Sequence, residues 1–193
     1  MWGGLDMANK GLIIIYVGEG KGKTTAAMGV AFRALGKGLN VGVLQFVKGE
    51  WPSGEIELME ILNKKDTFNG RELGKLHLEV LGRGFVKILG DQKPFKVHKA
   101  AALDGVKKSK EMLKSGLYDV VVLDELLSAY EAKLIKLSDV EGVIKSKPGN
   151  VHLVITGHYL PARLKAKADL VTEMKMIKHP YYSGILAQRG IDY

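Results

Sequence analysis

The run Gly18-Glu-Gly-Lys-Gly-Lys-Thr-Thr25 is built to hold a polyanion. Its glycines let the backbone curl until several N–H groups converge on one anion. Lys23 adds a mobile full charge, and Thr24 can place its hydroxyl on Mg²⁺. An apolar run, Gly11-Leu-Ile-Ile-Ile-Tyr-Val17, precedes it, and helix formers from Lys23 to Leu35 follow. Strand, loop and helix in that order is the setting a phosphate-binding loop requires, because the helix N-terminus contributes partial positive charge. The spacing is a variant. The usual G-x-x-x-x-G-K-[ST] would place its first glycine at Val17, whereas here the glycines fall at 18, 20 and 22. The competing reading is a glycine-rich turn that happens to carry lysines. The flanking strand and helix favour the phosphate loop, with Gly18, Glu19, Gly20, Lys21, Gly22, Lys23, Thr24 and Thr25 as nucleotide-binding candidates.

A second motif completes the chemistry. Val120-Val-Val-Leu-Asp-Glu125 is an apolar strand ending in two acids. In an open α/β sheet such acids lie at the carboxyl edge, where ligands bind. Asp124 and Glu125 are therefore candidates for Mg²⁺, with Thr24; one of the two could instead only cap the next helix. Together the motifs specify a nucleoside triphosphate with Mg²⁺ and leave hydrolase, kinase, nucleic-acid motor and transferase open. The five histidines, His77, His98, His152, His158 and His179, show no paired metal-ligand spacing, and His152 sits in an apolar strand as a core or edge residue. Trp51, beside Pro52, is either a stacking platform or a loop anchor.

The elements that must carry these residues alternate between strand and helix. Strands are expected over Gly11–Val17, Val41–Phe46, Lys75–Leu81 (half-buried), Tyr118–Leu123, Val151–Thr156 and Leu170–Ile177. Helices are expected over Lys23–Leu35, Gly54–Lys65, Pro94–Lys114, and from Pro161 to about Lys167. Ser138-Asp-Val-Glu141 has the spacing of a capping box at another helix start. The pattern predicts one α/β domain with a mostly parallel sheet and helices on both faces, after a short extension over residues 1–10.

Composition narrows the classes. The chain has 193 residues, 46% apolar and 26% charged, with a net charge of +8, so it can bury a core and is not disordered throughout. No apolar run approaches the ~20 residues of a membrane span. The first residues lack the basic and apolar parts of a secretory signal. Cysteine is absent, which excludes disulfides, Cys-ligated metals and thiol catalysis and suits a cytoplasmic setting. The lysines are scattered rather than gathered with aromatics, so a solvated basic surface is favoured over a nucleic-acid site.

Several segments, taken in order, resemble one family. They are Gly18 through Ala27, Val41-Gly-Val-Leu-Gln-Phe-Val-Lys-Gly49, Trp51-Pro, Val122-Leu-Asp-Glu-Leu126, Ile155-Thr-Gly157, Ala168-Asp-Leu-Val-Thr-Glu-Met174, Lys178-His179 and Gly190-Ile-Asp-Tyr193. Across about residues 11–193 the chain resembles the P-loop class of ATP:corrinoid adenosyltransferases. The resemblance implies a RecA-like P-loop domain. It implies transfer of the 5′-deoxyadenosyl group of ATP to Co(I) of a corrinoid, either cobalamin or cobyrinic acid a,c-diamide, with release of triphosphate. It implies ATP bound in the reverse sense to most NTPases, catalytic roles for Lys23, Thr24 and Glu125, a homodimer and a flavoprotein source of Co(I). The family's corrinoid loop, Gly-x-Gly-Phe-Thr-Trp, corresponds to Gly82-Arg-Gly-Phe-Val-Lys87, so Phe85 matches and Lys87 stands in place of tryptophan. An N-terminal lid of the kind some members carry would be short or absent. The remaining alternative is a RecA-like ATPase acting on nucleic acid.

Overall fold

The computed structural model describes residues 10–48, 54–64, 67–68, 70–82, 84 and 93–192. In chain order the elements are β1 (Ile13–Val17), α1 (Lys23–Leu35), β2 (Val41–Gln45), α2 (Gly54–Asn63), β3 (Thr67–Phe68), β4 (Arg71–Glu72), β5 (Leu76–Val80) and α3 (Phe95–Lys114). Then follow β6 (Val120–Asp124), α4 (Leu126–Glu131), α5 (Leu137–Lys145), β7 (His152–Thr156), α6 (Ala162–Lys165), β8 (Leu170–Glu173) and a 3₁₀ turn over Pro180–Ser183.

Six strands form one sheet in the order β5-β2-β6-β7-β1-β8, and every neighbouring pair is parallel. All six therefore end on one edge. The middle of the sheet is buried on both sides. In β6, Val121 and Leu123 join a cluster with α3, α4, α5 and α6, while Val120 and Val122 join a cluster with α1. This is the period-two division that β-branched residues favour in a sheet covered on both faces. Each such fully buried aliphatic side chain contributes roughly 1.5–3 kcal/mol. The expected α/β architecture, with helices on both faces, is the one found.

Local differences have local causes. The helix expected from Ser138 begins at Leu137 with Lys136 as its cap, because the Asp139 carboxylate accepts the Lys136 N–H at 2.7 Å. Ser138 thus lies inside the first turn, and the acid of the box is Asp139 rather than Glu141. The last strand stops at Glu173 instead of Ile177, all four of its residues being exposed on the sheet edge. The helix after Pro161 ends at Lys165. The short α4 and the β3–β4 hairpin were not anticipated. Among the described residues, no helix is long and apolar enough to cross a membrane.

Candidate functional site

The phosphate loop begins where β1 leaves the sheet. Gly18 and Gly22 take φ of +111° and +105°, a region L side chains avoid, so the two turns of the loop depend on glycine there. Gly20 is required for space. Its N–H donates to the Met174 carbonyl at 2.7 Å, and a Cβ at Gly20 would stand 2.6 Å from that oxygen. The Gly18 N–H donates to the His158 carbonyl at 2.9 Å. The loop is thus clamped between the segment after β7 and the segment after β8.

Lys23 is the first residue of α1 and is buried, its Nζ donating to the Gly20 carbonyl at 2.9 Å. The first intrahelical bond runs from the Ala26 N–H to the Gly22 carbonyl. The N–H groups of Lys23, Thr24 and Thr25 have no carbonyl a turn earlier to serve, which leaves them for an anion. Lys21 forms an ion pair with Asp192, which also accepts the Gln188 N–H at 2.7 Å. Glu19 and Thr25 are exposed, so their side chains point out of the loop. Glu19, Gly20, Lys21 and Lys23 line one side of a cavity of about 420 Å³ whose other wall includes His179, Tyr181 and Tyr182.

The acids of β6 meet this loop from the next part of the carboxyl edge. Gln45, Asp124 and Thr156 end the adjacent strands β2, β6 and β7, and all three are fully buried. Asp124 is their hub. Its Oδ1 accepts from Thr24 Oγ1 at 2.9 Å and from Thr156 Oγ1 at 2.8 Å, and its Oδ2 accepts from Gln45 Nε2 at 3.2 Å. Burial, and next the nearby Glu125 charge, push the Asp124 carboxyl above its ordinary value; the bonds from Thr156 and Thr24 and the charge of Lys48 oppose this. Gln45 Oε1 is buried with no hydrogen-bond partner.

Glu125 follows with φ +62° and caps α4. Its N–H donates to Thr156 Oγ1 at 2.8 Å. The Glu125 carboxylate has no hydrogen-bond or ion-pair partner among the described residues. Thr24 and Asp124 are hydrogen-bonded, and the Glu125 charge is near enough to act on the Asp124 carboxyl; oxygen donors of this kind are what a hard divalent cation takes. A buried carboxylate that meets only neutral donors also fits such a cation, which would offset its charge.

Gln45 and Thr156 were missed from sequence, though each is the first polar residue after a buried apolar strand. His152 is structural: its Nδ1 accepts the Leu12 N–H at 3.2 Å. His158 lies 3.4 Å from Ser128 Oγ and 3.5 Å from the Glu131 carboxylate. Among the described residues, no three His, Cys, Asp or Glu side chains cluster to hold a metal by themselves. Phe85, Lys87 and Trp51 lie outside the described residues.

A family model for ATP:corrinoid adenosyltransferase BtuR/CobO/CobP matches residues 9–193. The chain belongs to the ATP:corrinoid adenosyltransferase family. Curated relatives include the corrinoid adenosyltransferase CobA of Salmonella typhimurium, 38% identical over 184 residues, which covers 95% of this chain and 86% of the relative. The corrinoid adenosyltransferase of Escherichia coli K12 is 36% identical over the same shares of both chains. That of Pseudomonas aeruginosa is 34% identical, covering 95% of this chain and 84% of its own. Among solved structures, the flagellar accessory protein FlaH of Methanocaldococcus jannaschii superposes with a TM-score of 0.51 at 16% identity. It covers 84% of this chain and 70% of that one, a likeness of fold alone. The adenosyltransferase membership expected from the motifs therefore holds, and with it ATP-dependent adenosyl transfer to a corrinoid on a P-loop α/β fold.

Proposed function

We propose that this adenosyltransferase performs its reaction across the crevice between the Gly18–Thr25 loop and the carboxyl ends of β2, β6 and β7. The observation that carries the reading is the part-buried hydrogen bond from Thr24 Oγ1 to Asp124, which ties the phosphate loop to the acid strand. In the reaction a Co(I) corrinoid gives an electron pair to the 5′ carbon of ATP. The cobalt–carbon bond forms, the C5′–O bond breaks, and triphosphate leaves with that bonding pair.

The chain's task is to stabilise a leaving polyanion, so donors belong where charge develops. The N–H groups of Lys23, Thr24 and Thr25 face the triphosphate. Lys23 Nζ leaves the Gly20 carbonyl to reach a phosphate oxygen, and Lys21 exchanges Asp192 for one. Gly18, Gly20 and Gly22 shape the cradle, and Glu19 lies at its rim. Thr24, Asp124 and Glu125 would hold Mg²⁺, which supplies further compensation of the triphosphate charge when bound. No side chain is required as general base, because the nucleophile is the substrate's own cobalt; this accords with the roles given to Lys23, Thr24 and Glu125. Phe85 is assigned to the corrinoid. Residues 11–193 act as one domain, in a cytoplasmic homodimer supplied with Co(I) by a flavoprotein and without nucleic acid.

The test is anaerobic incubation with ATP, Mg²⁺ and chemically reduced cobalamin, followed by visible absorbance and by the phosphate product. Loss of the Co(I) spectrum with equimolar triphosphate is expected. Orthophosphate release that needs DNA and ignores the corrinoid would instead establish the nucleic-acid ATPase.

A further inference from the structure

The cavity of about 420 Å³ beside the phosphate loop lies on the side away from the acids of β6. Strand order places it there. Along the carboxyl edge β2, β6, β7, β1 and β8 follow one another. The loop rises from β1, so Gln45 and Asp124 lie to one side of it and the chain that leaves β8 lies to the other. That chain is pinned to the loop by the Gly20 N–H, which donates to the Met174 carbonyl at 2.7 Å. It brings His179, Tyr181, Tyr182 and Asp192 to the cavity, facing Lys21 and Lys23.

The aromatic wall is held in place by the backbone. His179 Nδ1 accepts the Tyr181 N–H at 3.2 Å and starts the 3₁₀ turn Pro180–Ser183. The turn presents Tyr181 and Tyr182 edge to face, with ring centroids 5.9 Å apart and ring planes at 75°. The two residues are 66% and 75% exposed, so they add little to the core. Among the described residues neither hydroxyl has a hydrogen-bond partner. Open aromatic faces beside a polyphosphate site suit a nucleobase, since every base has a face to stack. Across the cavity Asp192 holds Lys21. Once Lys21 turns to a phosphate oxygen, the Asp192 carboxylate is left as an acceptor, and a ribose hydroxyl is a donor that matches it.

The base that fits here is not that of the transferred adenosine. Cobalt must reach the 5′ carbon from the crevice above β6 and β2, so that adenosine lies on the crevice side of the loop. The phosphates then run across the loop, and the terminal one faces the tyrosines. We propose that this cavity takes a second nucleoside, esterified to the terminal phosphate, so that the enzyme accepts dinucleoside polyphosphates as adenosyl donors besides ATP. The inference rests on the reading of the crevice as the adenosyl-transfer site. The Co(I) electron pair forms the bond to one 5′ carbon, the C5′–O bond there breaks, and the leaving group keeps that bonding pair and the second nucleoside. It is ATP from diadenosine triphosphate and adenosine 5′-tetraphosphate from diadenosine tetraphosphate.

The test compares kcat/KM with cob(I)alamin for ATP, diadenosine triphosphate and diadenosine tetraphosphate. The dinucleotides are first freed of ATP with a removable alkaline phosphatase and kept in excess over cobalt, and the nucleotide products are separated by anion exchange. At least one dinucleotide should be used within about tenfold of ATP, giving its nucleoside polyphosphate in equal amount to adenosylcobalamin and no inorganic triphosphate. Tyr181→Ala and Tyr182→Ala should each lower kcat/KM for that dinucleotide by about five- to fiftyfold and leave the value for ATP within about twofold. Tyr181→Phe and Tyr182→Phe should keep both activities, and all four variants should melt with the wild type because the rings are exposed. Transfer from ATP but from neither dinucleotide would overturn the proposal, as would alanine variants that use the dinucleotide as well as the wild type does. Equal losses on ATP and dinucleotide would overturn it too, by placing the base of ATP itself against the tyrosines. Absence of transfer from any donor would overturn the crevice reading instead.

Discussion

Exchanging Asp124 for asparagine probes the crevice through stability rather than rate. The carboxylate is fully buried and takes bonds from Thr24, Thr156 and Gln45. Burial and then Glu125 raise its pKa. Between the unfolded carboxylate value and this raised native one, the native state holds a proton that the unfolded chain has lost, so stability falls as pH rises through that window. Asparagine carries no charge at any of these values. Its carbonyl oxygen can still accept from both threonines. Its amide nitrogen would meet the Gln45 amide nitrogen, but a flip of Gln45 resolves this, because Oε1 is buried and has no partner to lose. Removing the buried charge and filling that acceptor should gain several kcal/mol, while turning three charge-assisted bonds neutral costs about 1 kcal/mol each. The balance is about 1–3 kcal/mol in favour of Asp124→Asn at neutral to mildly alkaline pH, or roughly 2–10 °C for a chain of this size. Thermal melts of both proteins in EDTA, from about pH 4 upward, should show curves that meet at the acid end and separate as pH rises. With Mg²⁺ and ATP added, the wild type should gain more than the variant. A variant that melts lower than wild type at alkaline pH, or a gap that ignores pH, would refute the reasoning.

Lys23→Ala should lower ATP affinity and turnover together, by about a hundredfold in kcat/KM, since the ammonium serves phosphate before and during transfer; titration calorimetry and steady-state rates check this, and an unchanged rate removes the loop assignment. Gly20→Ala places a methyl against the Met174 carbonyl, so ATP binding should be lost and stability should drop by about 1–3 kcal/mol, read by ATP titration and urea melts. Asp169 has a lowered pKa, first from the Ile13 N–H and then from Lys10, so its contribution is present above the unfolded carboxylate value and is lost as pH falls through the native one. Asp169→Asn should accordingly be less stable than wild type at neutral pH, and the gap should close in strong acid, as measured by urea midpoints across that range.

What could be read from sequence was local. The α1 boundaries, Lys23–Leu35, follow from a glycine loop before the helix and Gly36 after it. The buried strands announced themselves as short β-branched runs. The capping box at Ser138 misplaced the helix because two acids, Asp139 and Glu141, stand within a turn of each other, and only the backbone decides which returns to the cap. The hub around Asp124 was half legible. Thr24 and Asp124 belong to recognised motifs, but Gln45 and Thr156 become neighbours only when β2, β6 and β7 lie side by side. Strand order is a long-range property that periodicity does not encode. The Lys21–Asp192 pair, 171 positions apart in sequence, is hidden for the same reason.

The position of β1 in the sheet has a consequence for biosynthesis. Among the described strands β1 is made first, yet both its neighbours, β7 and β8, are made last. At ~5–20 residues/s, the chain between Val17 and His152 takes about 7–27 s to make. During that interval Ile13-Ile-Ile-Tyr-Val17 has no lateral partner, and the phosphate loop lacks His158 and Met174, the two carbonyls that clamp it. ATP therefore cannot act as a template for the nascent chain. Nucleotide binding instead waits for the synthesis of Met174, and a ribosome-bound chain stalled before that residue should retain no ATP analogue while exposing its isoleucine run to chaperones and to other unfinished chains.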